Sequence, residues 1–368
     1  MTGADRPVAD TPLEGPAVWQ GSRIDYRNEG MHVLSADEIA EIDGALRHLR
    51  SLGDVDFPDI TPESFPLPTL AAFFGTLGDR LRRGRGFLLL RGLPRERYSV
   101  DDTARIYFGL GAHVGRPLPQ SYQGELLGHV IDVSDIEERA RGYHAGGAQG
   151  MHTDNCDIVA LMCLRAAKSG GLSRIASAAA VHNRLLAERP DLLATLYGDY
   201  VFRRMELDAE FGTGVLVKSV AIFSRQGGTL SCNFSGSYPR RAVAAGDAVM
   251  TPLQIAALDE LQRLAASPEF HLDMSIGEGD IQFLDNRAVV HGRTAYEDWP
   301  EVARRRHLMR LWLAVPSWPA LPANQGMHGP EDHRLWLRQR RPFMEVPSRY
   351  LAAMSERKAA LADGAEQR

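Results

Sequence analysis

The chain has 368 residues, of which 44% are hydrophobic and 24% charged, a composition typical of a globular protein with one large domain or two modest ones. Its net charge of −5 at pH 7 excludes an overall basic surface for nucleic acid. Of the 42 basic residues only Lys168, Lys218 and Lys358 are lysines, and none lies in a G-x-x-x-x-G-K-[ST] phosphate-binding frame. Schiff-base chemistry is therefore restricted to these three side chains.

The two ends of the chain differ in composition from the part between them. Residues 1–20 are rich in Pro, Gly and acidic groups, which predicts a flexible segment, and residues 346–368 predict a polar helix or tail. We expect a single domain over residues 21–345. No run of 18 apolar residues and no secretion signal occurs, and the three cysteines lack C-x-x-C spacing. These features favour a cytoplasmic protein with reduced, buried thiols and no membrane contact.

The N-terminal third is predicted to be mainly helical. Ser35 and Glu38 form an S-x-x-E capping box ahead of an amphipathic helix. A second helix is predicted from Pro68 to about Arg83, and a third after the cap at Ser99. Between them, the apolar run at residues 86–92 is bounded by glycines and predicts a buried strand.

The remainder of the chain alternates short strands with a few helices. A helix interrupted near Pro190 is predicted, and Thr251 with Pro252 marks the start of another. Many short strands with covering helices predict an α+β fold built on a β-sheet core. The strands are predicted at residues 157–164, 170–177, 270–276, 280–293 and 306–315.

A cluster of metal-ligating residue types begins at His152. In an extended segment residues i and i+2 point the same way, so His152 and Asp154 can contact one cation. His291, at the end of an apolar strand-like run, supplies a third ligand. Two imidazoles and one carboxylate form the facial triad of non-haem Fe(II) oxygenases. An H-x-D triplet alone is common, and in that simpler interpretation His152 only caps a strand.

Arg310 lies in a predicted strand on a face that it shares with Leu308 and Trp312. Burying an arginine among apolar side chains is costly unless an anion pairs with it. The planar guanidinium binds a carboxylate through two parallel hydrogen bonds, which lysine cannot do. The pattern therefore predicts a buried anion partner for Arg310.

Five motifs follow one another in a characteristic order. Together they resemble the taurine dioxygenase/TfdA-like (clavaminate synthase-like) family of Fe(II)- and 2-oxoglutarate-dependent oxygenases, over roughly residues 85–315. The combination is far more specific than any single motif. The motifs are His152-x-Asp154, Lys168-Ser-Gly-Gly-Leu-Ser173, Gly279-Asp280-Ile-Gln-Phe-Leu-Asp-Asn286, His291-Gly-Arg-Thr-Ala-Tyr and Arg305-Arg306-His-Leu-Met-Arg310.

The resemblance implies a role for each matching residue. His152, Asp154 and His291 would be the iron ligands, and Arg310 would bind the distal carboxylate of 2-oxoglutarate. Ser173 stands where the family often has a threonine, so its hydroxyl would make a second hydrogen bond to that carboxylate. The implied fold is a double-stranded β-helix, or jelly roll, buttressed by helices.

The resemblance also implies the reaction: Fe(II), 2-oxoglutarate and O2 oxidise an unactivated C–H bond and release succinate and CO2. Asp154 argues against halogenation, because halogenating relatives have a small residue there, and favours hydroxylation, with desaturation or ring formation left open. A Zn-dependent hydrolase on a jelly-roll scaffold is an alternative that leaves Arg310 without a role. A coincidental triad in a silent protein is another. The substrate would be a small organic molecule, such as an amino acid or natural-product intermediate; a homo-oligomer is left open.

Three further residues are candidate substrate contacts. Tyr143 and His144 lie in the Gly-rich approach to His152, whose length predicts a substrate loop. Arg293, two residues after His291, would face the same pocket.

Other conspicuous polar residues are interpreted without a role in chemistry. Asp285 and Asn286 are predicted to form a turn before the strand that carries His291. Arg293 and Arg306 need no function if they are solvated or salt-bridged, and residues 304–306 are predicted to lie in a solvated loop. The remaining isolated histidines are interpreted as ordinary surface or core residues: His113, His129, His182 and His307.

Overall fold

The computed structural model describes residues 11–137, 144–204, 216–226, 228–322 and 324–366. Helices occur throughout these ranges, and none has the length and apolar content needed to cross a bilayer. The helices are α1 (Tyr26–Glu29), α2 (Ala36–Ser51), α3 (Leu70–Gly75), α4 (Leu77–Arg83), α5 (Val100–Val114), α6 (Ala178–Glu188), α7 (Pro190–Leu196), α8 (Ser237–Ala244), α9 (Pro252–Ala265), α10 (Pro330–Arg338) and α11 (Pro347–Glu366).

The strands of the described residues are short. They are β1 (Met31–Val33), β2 (Phe87–Arg91), β3 (Arg116–Leu118), β4 (Leu127–Ile131), β5 (Gln149–His152), β6 (Ile158–Arg165), β7 (Ser169–Gly170), β8 (Ser173–Ser177), β9 (Asp199–Arg204), β10 (Leu216–Ala221), β11 (Phe223–Gln226), β12 (Thr229–Cys232), β13 (His271–Met274), β14 (Ile281–Asp285), β15 (Val289–Arg293), β16 (Tyr296–Glu297) and β17 (His307–Ala314).

Two facing sheets form the core of the fold. The larger has the order β1-β2-β14-β6-β17-β3, with β4 also paired to β17, and the smaller has the order β13-β8-β15-β5. Apart from the parallel pair β1–β2, the strand pairs are antiparallel. Side chains of both sheets, including Val159 and Trp312 of the larger and Ile175 and Val289 of the smaller, pack into one buried cluster. This is the predicted α+β jelly roll.

The apolar run of β2 is buried on both sides, which explains why it does not alternate. Phe87 and Leu89 face the interior between the two sheets, whereas Leu88 and Leu90 pack against α2–α5 on the outer face of the larger sheet. Each buried Leu or Phe side chain contributes about 1.5–3 kcal/mol. The N-terminal helices thus cover the larger sheet and leave its inner face to the site.

Two predictions for the N-terminal third differ from the structure. The helix predicted from Pro68 to Arg83 is divided into α3 and α4 at Thr76, whose hydroxyl donates to Ala72 O at 3.0 Å. Residues 11–20 are not simply flexible, because Leu13 and Trp19 are buried and the Trp19 indole donates to a backbone carbonyl. The predicted reduced, buried state of the three cysteines is confirmed.

The C-terminal helix α11 covers a buried histidine pair on the outer face of the larger sheet. His129 Nδ1 lies 2.9 Å from His307 Nε2, and the His129 ring stacks on Tyr350 of α11 with centroids 4.3 Å apart. Burial lowers the pKa of His129 to about 4, and burial together with the neighbouring His129 lowers the pKa of His307 further. Both rings are therefore neutral in the folded protein at pH 7.

We expect this pair to make the fold sensitive to mild acid. The unfolded chain binds protons at its histidines below about pH 6.5, whereas the folded pair resists protonation. The free energy of unfolding should therefore fall between pH 6.5 and pH 4, by up to about 1.4 kcal/mol per pH unit for each histidine. Urea denaturation at pH 7 and pH 5 measures the effect, and the His129→Gln variant should lose part of it. Equal slopes in both proteins would contradict the prediction.

Candidate active site

The three predicted metal ligands converge between the two sheets. His152 ends β5 and lies opposite His291 of β15, with ring centroids 4.3 Å apart. Asp154 follows β5, and its Oδ2 lies 3.8 Å from His291 Nε2. One ligand atom from each residue lies within 4.8 Å of the other two, and within the described ranges no other group of His, Cys, Asp or Glu is arranged in this way. The donor set fits one divalent cation held from one side.

Local contacts prepare both imidazoles for a metal. His152 Nδ1 lies 2.9 Å from Gly150 O, which accepts its proton and leaves Nε2 free of one. His291 Nε2 is on the side of Asp154, and its Nδ1 is buried without a hydrogen-bond partner. Burial and the adjacent His152 lower the pKa of His291 to about 3. Neutral imidazole is the form that binds a metal.

Asp154 is held as a carboxylate by its neighbours. Its Oδ2 accepts a hydrogen bond from Trp312 Nε1 at 3.0 Å and lies 3.3 Å from Arg310 Nη1. Burial raises the pKa of Asp154, but the charge of Arg310 and the hydrogen bond from Trp312 help to outweigh burial and lower it well below its usual value. The ligand is therefore negatively charged throughout the physiological pH range.

Arg310 has a buried anion partner, as the sequence pattern of its strand predicted. The side chain is only 7% exposed, and its partner is the ligand Asp154 itself. Its Nε donates to Gln120 Oε1 at 2.8 Å, while Gln120 Nε2 donates to the Arg310 carbonyl at 2.8 Å. These contacts fix the guanidinium beside the metal ligands.

Asn286 has a role that the sequence interpretation missed. Its Oδ1 accepts a hydrogen bond from the Asp154 amide at 2.8 Å, and its Nδ2 donates to the carbonyls of Asp154 at 2.6 Å and Cys156 at 2.9 Å. Asn286 therefore fixes the backbone of the ligand loop from 132 residues away. Asp285 does serve the turn, because its Oδ1 accepts from the Arg287 amide at 2.9 Å; burial raises its pKa to about 6.

A second group of polar atoms lies further along the interior. The guanidinium carbons of Arg293 and Arg306 lie 5.0 and 5.1 Å from the centroid of the Tyr296 ring. One terminal nitrogen of each arginine, Nη1, and the Tyr296 hydroxyl are buried without a hydrogen-bond partner. We call Arg293, Tyr296 and Arg306 the buried donor cluster.

The interpretation of Arg293 and Arg306 as solvated or salt-bridged is wrong. Both are buried, and in the described part of the chain neither guanidinium has a carboxylate within ion-pair distance. Burial lowers the pKa of both, and the charge of Arg293 lowers that of Arg306 further. Arg305 is also buried, although it is paired with Asp135 at 2.6 Å. These side chains are buried because of how the strands pair, and the local sequence does not reveal that pairing.

The glycine pair of the Lys168–Ser173 motif makes room for Arg306. Gly171 has φ +70°, and a Cβ at this position would lie 2.9 Å from Arg306 Nε. The Gly171 carbonyl accepts a hydrogen bond from Arg306 Nη2 at 3.3 Å. Only glycine combines this backbone conformation with so close an approach.

Ser173 and Arg293 lie directly opposite each other on β8 and β15, on the face that carries His291. The Ser173 hydroxyl is buried and donates to Gln282 Oε1 at 2.9 Å. Arg293 donates to the carbonyls of Ala145 and Gly147 in the loop before β5. His144 Nε2 lies 2.9 Å from His129 O. Tyr143 lies outside the described residues.

Comparison with known proteins identifies the family. The model of the "Taurine catabolism dioxygenase TauD, TfdA family" matches residues 51–312, most of the chain and all the residues of the site. The chain belongs to the TauD/TfdA family. It is therefore an Fe(II)- and 2-oxoglutarate-dependent dioxygenase, and His152, Asp154 and His291 form a group that could hold the iron.

Relatives of this TauD/TfdA-family enzyme include two curated proteins. FR-33289 synthase of Streptomyces rubellomurinus is 30% identical over 333 residues, covering 87% of this chain and 96% of the relative. The taurine hydroxylase-like protein SAT17 of Stachybotrys chartarum is 30% identical over 317 residues, covering 81% and 79%.

Solved structures of non-haem iron oxygenases share the fold. An asparagine oxygenase in complex with Fe(II), hydroxyasparagine and succinate has a TM-score of 0.59 and 18% identity, covering 80% of this chain and 98% of its own. The oxygenase OrfP in complex with Fe and α-ketoglutaric acid has a TM-score of 0.58 and 14% identity, covering 77% and 94%. The jelly-roll fold predicted from the sequence is thus confirmed.

Replacing Asn286 with alanine is expected to weaken metal binding in this TauD/TfdA-family enzyme. The variant loses the hydrogen bonds that orient the Asp154 loop, so Fe(II) affinity should fall by about 10–100-fold. Anaerobic Fe(II) titration measures this. Asn183→Ala is the matched control, because Asn183 likewise bridges a backbone amide and carbonyl, both of Leu13, far from the ligands. Equal metal affinity in the two variants would contradict the role of Asn286.

Proposed function

We propose that the enzyme hydroxylates an unactivated C–H bond of a small organic molecule that carries an anionic group, such as an amino acid or a biosynthetic intermediate. 2-Oxoglutarate would be converted to succinate and CO2. The observation that carries this proposal is the placement of Arg310, a buried cation 3.3 Å from the ligand Asp154 and therefore beside the reacting centre. The names of FR-33289 synthase and asparagine oxygenase support a biosynthetic or amino-acid substrate.

The three ligands fit the iron of this reaction. His152, Asp154 and His291 lie on one side of the site, which leaves the other coordination positions to the co-substrate and O2. When bound, iron supplies the activation of O2 and of the C–H bond. The protein holds His291 neutral and Asp154 ionised, the forms that bind a metal.

We place the distal carboxylate of 2-oxoglutarate at Arg306 and Ser173. Arg306 Nη1 is a buried donor without a partner, and Arg306 contacts Gly171, two residues before Ser173. Arg310 was predicted for this role, but its Nη1 lies 3.3 Å from Asp154 Oδ2, directly beside the proposed metal ligands. Because the metal-chelating end of 2-oxoglutarate would be held at the iron, its distal carboxylate would be better matched by an arginine away from the ligands. For Arg310 we propose instead that it orients Asp154 and attracts the substrate anion.

Anaerobic addition of Fe(II) and 2-oxoglutarate tests the co-substrate. A weak metal-to-ligand charge-transfer band in the visible is expected. A panel of amino acids and organic acids should then be screened for substrate-dependent succinate release, with products identified by mass spectrometry. Gain of one oxygen supports hydroxylation, whereas loss of two hydrogens indicates desaturation or ring formation. Absence of the band, together with Zn²⁺-dependent ester or amide hydrolysis, would overturn the proposal in favour of a hydrolase.

A further inference from the structure

Arg293 connects two parts of the interior that are distant in sequence. Its Nε and Nη2 donate to the carbonyls of Ala145 and Gly147, in the loop of residues 144–148 that leads into β5. Its Nη1 has no partner and belongs to the buried donor cluster with Tyr296 and Arg306. One edge of the planar Arg293 guanidinium therefore faces the loop, and another edge faces the buried donor cluster.

The buried donor cluster has three donors without an acceptor. Two guanidinium groups lie near the Tyr296 ring, and in the described ranges no carboxylate forms an ion pair with either, although the charges of Asp132 and Asp298 act on Arg293 and Arg306 from further away. Because Nη1 of both arginines and the Tyr296 hydroxyl are buried without an acceptor, a carboxylate bound among them would be favoured. A carboxylate that accepts from Arg306 Nη1 has oxygen lone pairs left for the Tyr296 hydroxyl and Arg293 Nη1.

The loop of residues 144–148 is directly linked to the iron ligand on β5. The His144 carbonyl accepts from the Val133 amide at 3.0 Å, which anchors the loop at its start. At its other end β5 runs from Gln149 to His152. A Cβ on Gly292 would lie 2.5 Å from Gln149 O, so β5 and β15 are in close backbone contact. Arg293 supplies the side-chain contacts between these two anchoring points.

We propose that Arg293 is a positioning residue that couples occupancy of the co-substrate site to the order of the 144–148 loop. The carboxylate bound at the buried donor cluster fixes the Arg293 fork, and the fixed fork holds the carbonyls of Ala145 and Gly147. Binding of 2-oxoglutarate thereby stabilises the wall of the site before the primary substrate enters. Because coupling is reciprocal, an ordered loop also tightens 2-oxoglutarate. This inference rests on the proposed co-substrate site.

Hydrogen exchange of the loop amides tests the coupling. The Co(II)-loaded enzyme, which does not turn over, is compared with and without saturating 2-oxoglutarate. In the natural protein the exchange of residues 144–148 should slow by about 10-fold, within the range that coupling free energies produce. In Arg293→Lys, which keeps the charge but not the fork, the slowing should disappear at saturating 2-oxoglutarate.

Two further variants make the result decisive. Arg174→Lys is the matched control, because Arg174 neighbours Ser173 but pairs with Asp273 at 2.7 Å outside the cluster, and it should retain the slowing. Tyr296→Phe is used if Arg293→Lys does not fold, because it removes only the unpartnered hydroxyl. This variant should weaken 2-oxoglutarate binding several-fold. Without 2-oxoglutarate, its loop should exchange as it does in the natural protein. Equal slowing in Arg293→Lys and the natural protein would overturn the coupling, as would unaltered 2-oxoglutarate affinity in Tyr296→Phe.

The charge-transfer band separates this inference from the proposed function. If the natural protein forms no band with Fe(II) and 2-oxoglutarate, the co-substrate proposal fails. If the band forms in the natural protein and in Arg293→Lys, but loop exchange does not respond to 2-oxoglutarate in either, only the coupling fails.

Discussion

Replacing Asp154 with alanine is expected to lower Fe(II) affinity by more than about 100-fold and to abolish succinate release. Loss of a residue that merely orients a ligand already costs about 10–100-fold, so loss of the ligand itself must cost more. The substitution also leaves Arg310 and the Trp312 indole without their acceptor, Asp154 Oδ2. The free energy of unfolding of the metal-free protein should therefore fall, by about 1–3 kcal/mol.

Asp154→Asn separates the metal effect from the structural one. Asparagine keeps an oxygen that can accept from Trp312 but removes the charge, so the fold should be retained while Fe(II) binding is lost. Asp273→Ala, which removes a half-buried partner of Arg174, should leave Fe(II) affinity and succinate release intact. Anaerobic Fe(II) titration and urea denaturation of all three variants provide the measurements. Full succinate production by Asp154→Ala would disprove the ligand set.

The convergence of His152, Asp154 and His291 could be predicted because their positions follow from local rules. Alternation along an extended segment places His152 and Asp154 on one side, and the apolar run before His291 indicates a strand that ends at the core. Pairing of β15 with β5 then brings the two histidines opposite each other. Each step uses only residues close to the ligand in sequence. The family motifs indicate which segments pair.

Asn286 could not be assigned in the same way. An Asp-Asn pair before a strand is typical of a turn, and Asp285 does form one with the Arg287 amide. The Asn286 side chain contacts a loop that lies far away in sequence, and nothing near either segment indicates that they meet. The Gly-Asp-Ile-Gln-Phe-Leu-Asp-Asn motif that contains it was the available signal, because a motif that spans a strand and its turn suggests a role beyond the turn.

Arg306 illustrates a different limit of prediction from the sequence. Three consecutive arginines predict a solvated loop, because charged residues are rarely buried without a partner. The structure encloses Arg306 where Gly171, a glycine with positive φ, lets the chain pass close to its guanidinium. The sequence predicted Arg310 for the co-substrate, and the packing of Gly171 against Arg306 is what makes Arg306 the candidate that we propose instead.

Replacing Arg306 with lysine is expected to raise the Kd of 2-oxoglutarate by on the order of 10–100-fold, because a point charge replaces a planar fork. Fe(II) affinity without 2-oxoglutarate should not change, since Arg306 makes no contact with a metal ligand among its hydrogen bonds. Arg310→Lys should behave in the opposite way. It disturbs Asp154 and therefore weakens Fe(II) more than it weakens 2-oxoglutarate.

Titration of the charge-transfer band with 2-oxoglutarate at saturating Fe(II), beside Fe(II) titration alone, measures both affinities for each variant. Arg304→Lys is the control, because Arg304 is an exposed neighbour of Arg306 that stacks on Trp299. If Arg310→Lys weakens 2-oxoglutarate more than Arg306→Lys does, while Fe(II) binding stays intact, Arg310 binds the distal carboxylate as the sequence predicted. The buried donor cluster would then require a different anion, because its two guanidinium groups are enclosed whichever arginine binds the co-substrate.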